Sequence, residues 1–169
     1  MTAIPKAQPG LHGLWERIET FSFDTGPTIY PFWARLASEN GWPMSFAARV
    51  ITEYRRFLYL AVVAGHQVSP SDHVDQVWHL HLLYTESYWN RLCRDVLGMP
   101  LHHHPTTGGV SERTKFDDWY KKTLESYRRV FLEDPPADVW PNPASRAGGT
   151  DRYQRVNTRR CWIIRKPWR

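Results

Sequence analysis

The chain has 169 residues, 41% of them hydrophobic and 14% aromatic, with nine Trp, eight Tyr and seven Phe. That is the size of one ordinary domain with enough apolar mass for a core, which excludes a largely disordered chain. The net charge of +5 sits at one end: residues 146–169 hold eight Arg or Lys and one Asp, whereas residues 1–145 carry 14 bases and 16 acids.

No run of about 18 apolar residues offers a bilayer span, and the longest apolar patch, FLYLAVVAG at 57–65, suits a buried helix. The opening MTAIPKAQPG lacks the apolar run of a secretion signal, so a cytoplasmic location is expected. Two Cys, Cys93 and Cys161, do not make a disulfide framework and are expected to be reduced thiols. The basic tail could touch an acidic partner or nucleic acid. Nothing resembling a nucleic-acid motif accompanies it, so nucleic acid is not the expected partner.

Leu11, Leu14, Trp15 and Ile18 share one face and predict a first helix over 11–21. Gly26 and Pro27 interrupt the pattern. A second helix is expected over 29–40, ended by NGWP. A third follows over 44–64, with Phe46, Val50, Tyr54, Phe57, Leu58 and Ala61 at helical spacing and Gly65 as its stop. SPSDHVDQVW reads as a new start: Ser69 or Ser71 can cap it, and Asp72 and Asp75 favour the positive end of the helix dipole. Apolar spacing then runs through Val96 until Gly98, Pro100 and Pro105 end it. The last helix is expected over 111–132, stopped by EDPPADVWPNP. The fold expected is mainly α: one bundle of about five helices over 9–133, with an irregular, partly extended, Pro- and Arg-rich arm over 134–169.

Six of the eight His fall between His73 and His104, in VDQVWHLHLLYTESYW and the following LHHHP. At about 100° per residue, His79 and His81 lie about 200° apart on one helix and cannot share a single metal ion. His81 falls inside the apolar face, where a hydrogen-bonded core residue is the expectation. Asp75 and His79 are four apart, one turn above the other, and can act together. A straight helix would leave the imidazoles of 102–104 about 28 Å away, near the full reach of the returning chain. A metal site therefore requires a break near 84–86, where Thr85, Glu86 and Ser87 resemble a cap in mid-helix. His and carboxylate ligands in such a set suit zinc, or ferrous iron if one face stays open. The same groups could also form a hydrogen-bonded brace with no metal.

VDQVWHLHLLYTESYW and LGMPLHHHP together resemble the glycine-rich-domain-containing proteins of plants and their bacterial relatives. The residues carrying the likeness are Asp75, Trp78, His79, His81, Tyr88, Leu97, Gly98 and His103. Plant members often have Pro in place of Thr85, which agrees with a corner there. The likeness covers about 45–133, and VNTRRCWIIRKP is similar to bacterial members; no glycine-rich segment is present. The resemblance implies one shared His/Asp site and no particular reaction.

Two functions follow. In the first, a divalent metal, zinc ahead of iron, is held by Asp75, His79 and His103, with His81, His102 and His104 as further candidates. Glu86 would be a general base toward a metal-bound water, acting on an unidentified small molecule or peptide. In the second, the aromatic helices form a non-enzymatic module for a protein or peptide partner, braced by the His/Asp group.

Overall fold

In a computed structural model of the chain, the described residues are 12–104 and 110–144. They form six helices and no strand: α1 (His12–Glu19), α2 (Phe32–Asn40), α3 (Met44–Val63), α4 (Asp72–Leu83), α5 (Glu86–Leu97) and α6 (Val110–Phe131). The mainly-α expectation holds, with six helices where about five were expected, because the fourth segment divides. No described helix is long and apolar enough to cross a membrane.

α3 is the axis of the bundle, packed against α1, α2, α4 and α6. Its apolar residues are not confined to one stripe: Ala47, Val50, Ile51, Tyr54, Phe57, Leu58, Tyr59 and Leu60 are all buried. A helix that is apolar nearly all round is stable only inside such a ring. Pro43 precedes its first turn, where a missing N–H costs nothing. At its other end Gly65 takes a φ of +74°.

Ser71 caps α4, its hydroxyl accepting from the Val74 N–H at 3.2 Å. The helix ends at Tyr84, which leaves helical geometry (φ −89°, ψ 62°) while its N–H still bonds the His81 carbonyl at 2.9 Å. The break lies where a metal site required it, but its cause differs from the expected cap. Thr85 is itself helical and its side chain caps nothing. Ser87 instead turns inward, donating to the Phe23 carbonyl at 2.8 Å.

α5 is wound more widely than an α-helix, with the i→i+5 bonds of a π-helix. Its buried residues are Ser87, Tyr88, Leu92, Cys93 and Leu97. They recur every five positions, as that winding dictates. A 3.6-residue winding would put Trp89 on the inner face; Trp89 is instead 37% exposed, and Ser87 and Cys93 take the interior. Cys93 is a free, buried thiol, as expected.

The chain after α6 is not all surface. Val139 and Trp140 are buried in the core, and the Tyr120 hydroxyl donates to the Pro141 carbonyl at 2.7 Å. Trp140 also reaches a buried polar knot. Its indole N–H donates to Glu53 Oε2 at 2.8 Å, and the Tyr127 hydroxyl donates to the same oxygen at 3.0 Å. Arg56 bridges Glu53 at 3.2 Å and Glu133 at 2.6 Å. Cys161 and the basic tail lie outside the described residues.

Candidate metal centre

Three side chains from two segments meet beside α4. Asp75 and His79 project from successive turns of that helix, and His103 arrives from the loop after α5. The His103 Nε2–H donates to Asp75 Oδ1 at 2.9 Å, and His79 Nδ1 lies 3.6 Å from Asp75 Oδ2. The two imidazole rings are 4.5 Å apart, centroid to centroid. One ligand atom from each of the three falls within 4.8 Å of the others, and among the described residues no other such group of His, Cys, Asp and Glu occurs. Ligand atoms of tetrahedral zinc, at roughly 2.0–2.1 Å from the ion, sit about 3.3 Å apart. Asp75 stands near that distance from both partners, through Oδ1 to His103 and Oδ2 to His79. This His/Asp group could hold a metal ion.

Access is graded. The side chains are 45% exposed for His79, 27% for Asp75 and 19% for His103. The inner wall is the Trp78 indole, set edge-on to the His103 ring at 4.6 Å. An ion here would have protein on one side and water on the other.

The chain returns to α4 because α5 ends at Gly98, whose φ of +70° is one that residues with a side chain rarely adopt. The N–H groups of Gly98 and Met99 both bond the Cys93 carbonyl, closing the turn. Beyond it, the Tyr88 hydroxyl bonds the Leu101 carbonyl.

The other candidates are not brought to this group. His81 is fully buried in a box of aromatic rings from Phe21, Phe23, Phe32, Tyr54 and Tyr88. Ser87 spends its one hydroxyl proton on Phe23, so at 3.2 Å it accepts from His81 Nε2–H. Nδ1 is then the acceptor for the Tyr54 hydroxyl, also at 3.2 Å. Both nitrogens are satisfied in the neutral tautomer. Burial, with Arg91 nearby as a second cause, lowers the pKa of His81 to about 3.

His102 and His104 are exposed and alternate with His103 along the extended loop. They turn instead to a cavity of about 200 Å³ floored by Phe57, Ala61, Trp78 and Leu101. The His102 ring lies 5.4 Å from Trp89 and 6.1 Å from His104. Glu86 is exposed on the first turn of α5, outside the group. The sequence alone marked Trp78 and Tyr88 as apolar-face residues and as part of the family likeness, with no role for their polar atoms. Their polar atoms meet at 2.8 Å, indole N–H to hydroxyl, behind the site.

A family model described as UCP032817-like matches residues 33–127, which span α2 to α6 and contain all three residues of the group. Among curated proteins, glycine-rich domain-containing protein 2 of Arabidopsis thaliana is 28% identical over 93 residues, covering 51% of this chain and 11% of that protein. Glycine-rich domain-containing protein 1 of the same plant is 24% identical over 106 residues, covering 60% of this chain and 13% of its own length. The chain thus spans a small part of these relatives. No solved structure matches.

Proposed function

The chain belongs to the UCP032817-like family, and from that premise we propose that it is a metal-binding helical domain whose ion, zinc ahead of iron, is held by Asp75, His79 and His103. The observation that carries this reading is the convergence of three ligand atoms within 4.8 Å from two distant segments. Two imidazoles and a carboxylate leave one position free on tetrahedral zinc, and more on octahedral iron. A bound metal would supply a water acidified toward neutrality, or a Lewis-acid seat for a substrate oxygen. The half-exposed face at His79 gives such a substrate a way in. Metal uptake at His103 Nε2 must replace its hydrogen bond to Asp75, with the ring N–H relocated to Nδ1.

The test is metal content. Untagged protein is expected to carry about one equivalent of zinc or iron by mass spectrometry. His79→Ala and Asp75→Asn are expected to bind more weakly by at least the roughly 10–100-fold that loss of a ligand-orienting partner alone costs, since each removes one of three ligands. Parent protein that takes up no ion from a zinc or iron titration would overturn the reading.

The Asp75–His103 hydrogen bond favours a second reading, the brace of a non-enzymatic interaction module. It predicts equal melting temperatures with and without chelator.

Glu86 needs hydrogen-bond reach to a metal-bound water to serve as a base. From its exposed place outside the ligand group, Glu86→Gln is expected to bind metal like the parent. A several-fold loss of affinity in that variant would place its carboxylate at the ion.

A further inference from the structure

We propose that Tyr88 is a positioning residue for the metal centre: its hydroxyl ties the His103 loop to the helix that carries Asp75 and His79, and so sets the metal affinity of the site. The inference rests on the metal reading above. Tyr88 is fully buried on α5. Its oxygen accepts the Trp78 indole N–H at 2.8 Å, and its proton goes to the carbonyl of Leu101. Trp78 neighbours His79 on α4, and Leu101 lies two residues before His103. One hydroxyl therefore joins the backbone of the ligand-bearing loop to the ligand-bearing helix.

The surroundings leave that hydroxyl little freedom. The Tyr88 ring stands edge-on to His81 at 5.1 Å and to Trp89 at 4.9 Å. The Trp78 ring is held by Phe57 at 5.1 Å on one side and touches His103 on the other. Of three consecutive histidines, the loop presents the middle one to Asp75 while its neighbours His102 and His104 line the cavity. Fixing Leu101 fixes which residues of that alternation face the helix. If the tie is lost, the loop must be ordered by the metal itself, at the expense of affinity. Partners that orient metal ligands typically account for about 10–100-fold in binding.

The experiment compares Tyr88→Phe with Tyr127→Phe, a change in the buried Glu53 knot that also removes a hydroxyl from the core but lies apart from the loop. Cobalt(II) and zinc affinities are measured on full-length protein by competition with a chelating dye. The ring ¹⁵N signals of His103 are recorded on the metal-free proteins. Tyr88→Phe is expected to bind about 10–100-fold more weakly, and its His103 signals to move toward those of a free imidazole. Tyr127→Phe is expected to melt earlier while keeping the parent's affinity and His103 signals. Parent affinity in Tyr88→Phe, or an equal loss in Tyr127→Phe, would overturn the proposal. If the parent itself takes no metal, the metal reading fails, and the His103 signals decide the positioning role alone. A shift in Tyr88→Phe upholds the tie, and unchanged signals sink it.

Discussion

Replacing His81 by Ala is expected to destabilise the protein by about 3–5 kcal/mol, the range for emptying an aromatic-sized core site. Five aromatic rings would lose their common neighbour. The Tyr54 hydroxyl would lose its acceptor in a place closed to water, which adds a penalty of its own. The same burial makes His81 acid-sensitive. Its folded pKa is lowered from 6.5 to about 3, so the folded state binds its proton less readily than the unfolded chain. The stabilisation is fully present above about pH 6.5 and is lost as pH falls toward 3, at up to about 1.4 kcal/mol per pH unit for one such group. Arg91, whose guanidinium lies 5.2 Å from the Phe21 ring centroid, adds its repulsion to any charge on the imidazole. Urea midpoints at pH 7.0 and 4.5 for the parent and for His81→Gln provide the check. Gln keeps a donor and an acceptor but does not titrate, so its stability should fall less on acidification. Equal falls in the two proteins would show that His81 does not govern the acid limb.

Glu53→Ala is expected to cost about as much, roughly 3–5 kcal/mol, because it strands a buried partner. Burial pushes the Glu53 carboxyl above its ordinary pKa, against the pull of Arg56, Trp140 and Tyr127. The carboxylate is thus held by its hydrogen bonds rather than by solvent. Its removal leaves the Trp140 indole N–H and the Tyr127 hydroxyl without their shared acceptor, and the Arg56 side chain, 10% exposed, with only Glu133 as a counter-charge beside its hydrogen bond to the Tyr127 oxygen. Exchanging both Glu53 and Arg56 for Leu and Met should be milder than Glu53→Ala alone, since it removes the stranded charge as well. Chemical denaturation of the three proteins measures this. A single-variant loss below about 1 kcal/mol, the scale of a surface ion pair, would mean that water reaches the knot.

Much of this arrangement was legible in the sequence. The turn residues placed α1 to α3, α6 and the start of α4 within a few positions of the observed ends. Asp75 and His79 were paired by the four-residue rule alone. The break near Tyr84 followed from demanding that loop imidazoles come back within reach. Two things were hidden for a physical reason. A wheel drawn at 3.6 residues per turn cannot show the inner face of α5, because its five-residue recurrence of Ser87, Leu92 and Leu97 mixes a serine with leucines. Spacing also could not choose among three adjacent histidines. The likeness to the glycine-rich-domain proteins singled out His103, and in the structure the Tyr88 hydroxyl and the alternation of the loop bring that residue to Asp75. His81 illustrates the reverse: its angle on the wheel already placed it in the core, although it stood among the candidate ligands.

The anchoring of α5 has a consequence for how the protein reaches its final form. Ser87 is tied to a carbonyl 64 residues earlier, and Arg17 to the Val96 carbonyl 79 residues later. Closures of that length are entropically expensive and slow relative to local helix formation. A chain leaving the ribosome can pair α1 to α3 early, but the Phe23 carbonyl must wait for Ser87 to emerge. The loop bearing His103 comes later still, so the His/Asp group is expected to form only after α1 to α5 have emerged, and α6, with Tyr127 and Trp140, closes on Glu53 of α3 after it.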